Sequence, residues 1–315
     1  MELPISGVET YWWLPSLVAF LISCMTVTAG ISGAFLLLPF QMSVLGYTAP
    51  GVSSTNLFYN IVSIPSGVYR YSREKRMIWP LAWAIVIGIV PGMFLGALIR
   101  VHWLPDPVHF KPFAGLVLGV IGIRLLLDVI KGSRVKVASS GGNNSLKGQT
   151  RASAAHENDK GSTEATDVRF ILSKISYRFR GESFSVNTPG LILLSLVVGI
   201  AGGAYGIGGG AVVAPFLVAM IGLPIYTIAG ATLFSTLVGS IGGVVSYYAI
   251  SLASTGASGP ASPDWLLGGL LGVGGMAGMY VGARLQRYLP ARLIKSVLTV
   301  CLLAIATKYI AVLFG

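Results

Sequence analysis

Apolar positions in this chain do not alternate with polar ones at a strand period. They run on, and polar residues gather in the short intervals between. Window hydropathy places apolar runs over 12–45, 49–71, 77–99, 112–130, 188–222, 225–252, 265–286 and 292–314. About 20 apolar residues cross a bilayer as a helix, so the pattern predicts an all-α integral membrane protein, a polytopic helical bundle. The run over 12–45 is too long for one crossing and is interrupted at Ala29–Gly33. The run over 188–222 carries the corresponding interruption, Gly202–Phe216, with six glycines in its first nine residues. Glycine costs about 1 kcal/mol relative to alanine inside a helix, and bare backbone at membrane depth survives only where it lines a cavity or is buried in protein. Both stretches therefore read as broken helices.

The two halves repeat. Gly30 pairs with Gly206 (206 − 30 = 176), and the same offset pairs Ile31 with Ile207, Gly33 with Gly209, Pro39 with Pro215, Leu57 with Leu233, Gly67 with Gly243 and Tyr71 with Tyr247. A later block repeats at 274 − 88 = 186, matching Gly88, Gly92 and Gly96 with Gly274, Gly278 and Gly282. These glycine ladders at spacing four predict close helix packing. Loop charges give the orientation. Arg70, Arg73, Lys75 and Arg76 follow the second run, whereas the equivalent loop over 251–263 has no basic residue. Arg100 and Lys111 fall in the loop whose equivalent holds Arg284, Arg287, Arg292 and Lys295. Basic loops stay cytoplasmic, so equivalent loops fall on opposite sides. Two inverted repeats are expected, with Gly-broken helices opening each half. The N-terminus is then outside, the central loop is cytoplasmic, and each opening run doubles back at its break.

Three domains follow: a first transmembrane repeat over 1–131, a basic cytoplasmic linker over 132–187, largely disordered, and a second repeat over 188–315. The linker is rich in Ser, Gly, Asn and charge and cannot bury a core. Its stretch 168–180 reads either as an amphipathic helix on an anionic membrane surface, with Ile171, Ile175 and Phe179 on one face, or as an extended tether.

Composition narrows the function. The chain is 54% hydrophobic and only 10% charged. Its net charge of +11 is concentrated, with ten of 22 Lys+Arg lying between Lys131 and Arg180, so it reads as a topology signal and no nucleic-acid partner is expected. Cys24 and Cys301 fall in apolar runs and read as small core residues. No basic residue precedes Arg70, so no cleavable signal peptide is expected. Midplane stretches carry no His, Asp or Glu, and the chain has no HExxH or GxSxG; an enzyme, a metal site and a cofactor are not expected. The polar face STNLFYN sets Asn56 and Asn60 one turn apart, with Thr232 and Thr236 at the equivalent positions. These side chains either touch a substrate or bond across helices.

The paired segments GISGAFLLLPF and GIGGGAVVAPF, followed by STNL and GATL, resemble the TauE/SafE family of sulfite exporters. The likeness spans roughly 14–130 and 188–314. The second copy keeps the GxGGGxxxxP pattern, and the first replaces two of its glycines with Ser32 and Ala34. The resemblance implies an inner-membrane carrier exporting a small inorganic or organosulfur anion such as sulfite or sulfoacetate, in contact with membrane lipid and with homo-oligomerisation left open. Broken helix ends present N–H groups and a positive dipole end to an anion. The site is therefore expected between the breaks, drawn from Gly30, Ser32, Gly33, Asn56, Asn60, Tyr205, Gly206, Gly208, Gly209, Gly210, Thr232 and Thr236. Two other readings are an anion channel and a non-transporting scaffold or receptor working through the basic loop.

Overall fold

The computed structural model describes residues 3, 5–29, 32–73, 77–138, 166–171, 174–179, 182–217, 225–255, 261–285 and 291–312. Within them the first half forms α1 (Trp13–Ala29), α2 (Ala34–Ser43), α3 (Gly51–Ser63), α4 (Pro65–Arg73), α5 (Trp79–His102) and α6 (Pro107–Ala138). Three strands follow: β1 (Thr166–Ile171), β2 (Lys174–Phe179) and β3 (Glu182–Asn187). The second half forms α7 (Thr188–Tyr205), α8 (Gly210–Phe216), α9 (Ile225–Thr255), α10 (Trp265–Leu285) and α11 (Ala291–Ala311). Among the described residues six helical stretches are long and apolar enough to cross a membrane: 79–102, 107–127, 188–205, 228–253, 265–282 and 294–311. The protein is an all-α polytopic membrane protein. Both expected helix breaks are present, between α1 and α2 and between α7 and α8.

Local chemistry explains several boundaries. Asn187 caps α7 by accepting from the Gly190 N–H, with proline in the first turn, where its missing N–H costs nothing. Pro65 divides α3 from α4, since its ring and absent N–H do not fit a helix interior. The equivalent α9 has no proline and runs unbroken for 31 residues. Exposed apolar side chains such as Trp83, Ile87 and Phe94 share α5 with the buried Gly88, Gly92 and Gly96. One face thus suits lipid and the other a helix.

The glycine ladders decide how the halves interlock. A side chain at Gly88, Gly92 or Gly96 would strike the carbonyls of Ile192, Leu196 and Ile200 on α7 in turn. On the other side of the molecule, Gly274 and Gly278 of α10 lie against the carbonyls of Ser16 and Phe20 on α1. These contacts match residue for residue: Gly88 and Gly274 differ by 186, Ile192 and Ser16 by 176. Each ladder helix therefore packs on the opening helix of the other half and runs parallel to it. Equivalent helices run the opposite way. Gly243 of α9 meets Leu57 of α3, and Gly67, just beyond α3, meets Leu233 of α9, so α3–α4 and α9 are antiparallel. Gly115 meets Ala306 and Ile310 while Gly122 meets Leu302 and Leu303, so α6 and α11 are antiparallel too.

Several expectations are corrected. Of 168–180, the described residues 168–171 and 174–179 form neither an amphipathic helix nor a tether. β1, β2 and β3 form an antiparallel sheet in which Phe170 pairs with Ile175 and Ile175 with Val186. Ile175, Tyr177 and Phe179 alternate with polar residues, and period two suits a strand. Ile175 and Val186 are buried in one cluster with Ile78, Leu81 and Leu191, which seats the sheet at the N-terminal ends of α5 and α7. Within the expected linker, 132–138 complete α6 and 166–187 contain the sheet, apart from 172, 173, 180 and 181; those four and 139–165 lie outside the described residues. Cys301 is exposed on α11 and Cys24 half-buried, both free thiols, so neither is a core residue. Arg100 is not a loop cation. It is fully buried in the last turn of α5, donating to the carbonyls of Leu104, Pro105 and Thr48 with its guanidinium 3.7 Å over the Phe110 ring.

Candidate functional site

The second break is built from glycines whose backbone no other residue holds comfortably. α7 ends at Gly206 in the left-handed region (φ 91°), and the Ile207 N–H reaches back to the Gly202 carbonyl at 2.9 Å, a glycine-terminated C-cap. Gly208 has φ 89°. At Gly209 (φ 73°, ψ −55°) the Gly208 carbonyl accepts from the Gly210 N–H at 2.8 Å, a γ-turn of the strained hand. Three positive-φ glycines within four residues turn the chain from α7 into α8, and residues 202–210 are all buried.

At the first break, Gly30 lies outside the described residues. Gly33 has ordinary helical dihedrals, so it is needed for space. A Cβ there would fall 2.6 Å from the Tyr59 hydroxyl and 2.9 Å from Ser23 Oγ, which bond each other at 2.8 Å. Ser32 Oγ accepts from the Ala34 N–H and donates to Asn60 Oδ1, both at 3.3 Å.

The two breaks meet, and the asparagines join them. Asn56 Nδ2 donates to the Ala34 carbonyl beyond the first break and to the Gly206 carbonyl in the second, both at 2.9 Å. Asn60 Nδ2 donates to the Ile207 carbonyl at 2.8 Å. The Tyr205 hydroxyl spans the same gap to the Phe35 carbonyl at 2.9 Å. Two further carbonyls at the end of α7 are capped from outside, Gly203 by the Tyr247 hydroxyl and Ala204 by Ser53 Oγ, each at 2.9 Å. Ser53, Asn56 and Asn60 lie three and four residues apart, one face of α3.

Asn56 bonds across helices with both its N–H groups. Thr232 and Thr236 lie against the break, since a side chain at Gly210 would strike both. Their hydroxyls, however, donate to their own helix, to Ile228 and Thr232, at 3.1 and 2.8 Å. Among the described residues the N–H groups of Gly208 and Gly209 have no partner. Hydrophobic pattern and repeat register alone did not single out Gln41, whose buried Nε2 donates to Asn56 Oδ1 at 3.4 Å and whose Oε1 has no partner among the described residues. Nor did they reveal Ser240, buried beside Gly208. It ends TLVGS, a stretch with a faint likeness to a potassium-channel filter that lies inside α9 as ordinary helix.

The chemistry of the second break is lopsided. Four of its carbonyls, Gly203, Ala204, Gly206 and Ile207, accept from side chains, while two glycine N–H groups remain. Buried polar groups without partners are rare and call for a ligand or a reason.

Against known proteins, the family model described as "Sulfite exporter TauE/SafE" matches residues 16–309. No curated protein and no solved structure matches the chain.

Proposed function

From the premise that the chain belongs to the TauE/SafE sulfite exporter family, we propose that it is a carrier exporting a small sulfur-containing oxyanion, such as sulfite or sulfoacetate, across the inner membrane. The anion is held where the two breaks meet. The observation that carries this reading is the lopsided second break, with carbonyls capped and glycine N–H groups unfilled in a buried, glycine-lined turn. Such N–H groups suit an oxyanion, because hydrogen bonds to a charged acceptor are about twice as strong as neutral ones.

The two halves act as inverted repeats. Supporting this, equivalent helices α3–α4 and α9, and α6 and α11, run antiparallel, as a two-fold axis in the membrane plane requires and one along its normal forbids. Basic residues at 70–76 and 284–295 then mark the cytoplasmic side, and the N-terminus lies outside. Alternating access would rock one half against the other around the shared break region. The glycine ladders are the surfaces along which the halves touch. An inside-negative potential drives an anion outward by about 2.3 kcal/mol per charge per 100 mV.

Proteoliposomes loaded with sulfite, thiosulfate, sulfoacetate or sulfate test the reading. Saturable efflux of at least one sulfur oxyanion, faster under an imposed inside-negative potential, is the expected result. Efflux that rises linearly with concentration would make the protein a channel, and no efflux of any of the four would remove the carrier reading.

A further inference from the structure

The hydroxyl side chains of α9 follow a common habit. Thr232 donates to the Ile228 carbonyl, Ser235 to Ala231, Thr236 to Thr232 and Ser246 to Gly242, at 3.1, 2.7, 2.8 and 2.7 Å. A helix offers every Ser or Thr this carbonyl four residues back. Ser240 does not take it. Its side chain is fully buried, and among the described residues Oγ has no hydrogen-bond partner. Leaving such a group unpaired is destabilising, so the position calls for a reason.

The hydroxyl faces the second break. A Cβ built on Gly208 would strike Ser240 Oγ and lie 3.0 Å from the Thr236 carbonyl. The oxygen thus sits against the α-carbon of the central glycine, whose N–H, like that of Gly209, has no partner among the described residues. The Gly208 backbone and the Ser240 hydroxyl share one buried spot, the Gly209 nitrogen lies on the side of Gly202, and the Gly203, Ala204, Gly206 and Ile207 carbonyls already accept from side chains. Spare donors beside carbonyls that already accept suit a ligand that accepts hydrogen bonds.

We infer that Ser240 is a direct ligand of the transported oxyanion, donating its O–H to an anion oxygen beside Gly208. The inference rests on the carrier reading and adds a residue to its site. It also makes the site unequal between the halves, because the equivalent position is Ile64 (240 − 176 = 64), whose side chain has no donor.

Ser240→Ala removes one oxygen and keeps the Cβ, so packing is preserved. Full-length wild type and variant are compared in proteoliposomes, using whichever of sulfite, thiosulfate and sulfoacetate the wild type moves, and in thermal unfolding with and without that anion. The expected result is a KM about 10-fold higher, the scale of one hydrogen bond to a charged group. The anion-dependent rise in Tm shrinks, and the anion-free Tm stays level or rises because an unpaired hydroxyl is gone. A serine with only a structural role predicts an unchanged KM. A KM within twofold of wild type, with the anion-dependent Tm shift intact, overturns the inference while leaving the carrier reading standing. Should Ser240→Ala fail to fold, the comparison moves to Ser240→Cys, a weaker donor, where a wild-type KM overturns it equally. Wild-type protein that neither moves nor is stabilised by any of the three anions defeats the carrier reading, and Ser240 falls with it.

Discussion

Gly209 and Asn56 show how differently two residues of one site are constrained. At Gly209 an added Cβ would meet the Ile89 side chain at only 3.4 Å, an ordinary contact, so the constraint is its φ of +73°. Gly209→Ala therefore tests conformation and not contact, and loses about 1–3 kcal/mol of stability through backbone strain, read by thermal or denaturant unfolding. A loss of anion affinity in this variant would not by itself report on binding. Asn56 is constrained by hydrogen bonds. Asn56→Asp keeps the shape but cannot donate, leaving the Gly206 carbonyl unpaired and setting a carboxylate against it and the Ala34 carbonyl. At about 1–3 kcal/mol for a buried unpaired group, with carboxylate–carbonyl repulsion added, a loss of about 2 kcal/mol is expected, with Asn56→Ala somewhat milder. Near-wild-type stability of both variants in unfolding assays would show that the two breaks are not held together by this amide.

At the scale of elements, the ladder glycines make a paired prediction. Gly92 packs on the Leu196 carbonyl and Gly278 on the Phe20 carbonyl, through equivalent positions of α5 and α10. A valine at either site forces two helix backbones apart and costs about 1–3 kcal/mol by overpacking. Because the contacts are equivalent, Gly92→Val and Gly278→Val should lower Tm by similar amounts and slow transport similarly. A large effect at one site and none at the other would break the equivalence. Arg100 makes a different case. It ties the turn after α2, through Thr48, to the turn between α5 and α6, through Leu104 and Pro105. Arg100→Leu abandons three carbonyls and the Phe110 ring contact, and is expected to cost about 2 kcal/mol or more in an unfolding measurement.

At the scale of the whole molecule, the inverted arrangement predicts labelling. In a background lacking Cys24 and Cys301, single cysteines within 70–76 and 284–295 should react only with reagent reaching the cytoplasmic side, and those within 251–263 only from outside. Finding 251–263 and 284–295 on one side would mean that α10 does not cross and would contradict the inverted arrangement. The same prediction explains why the opening runs must turn back. In the proposed inverted arrangement each half crosses an odd number of times to present equivalent loops on opposite faces, and α2, only ten residues long, would be the returning limb.

Much of this was legible in one dimension. Hydropathy alone marks where helices cross, because in lipid the backbone must satisfy itself. The constant offsets reveal the repeat, and glycine density locates both breaks, since a residue that weakens a helix so strongly is kept only where the chain must bend or touch. The three-stranded sheet was missed because its period-two alternation was read at helical spacing in a stretch too polar to suggest a core. The division of labour within the site was not legible at all. Asn56, Asn60, Thr232 and Thr236 occupy equivalent positions, yet the asparagines bridge to backbone some 150 residues away while the threonines bond to their own helix. Ser240 looks like any helical serine until Gly208 is brought against it. A hydrogen bond between distant residues depends on where each partner is delivered in space, and one-dimensional periodicity specifies only which face of its own helix a side chain leaves.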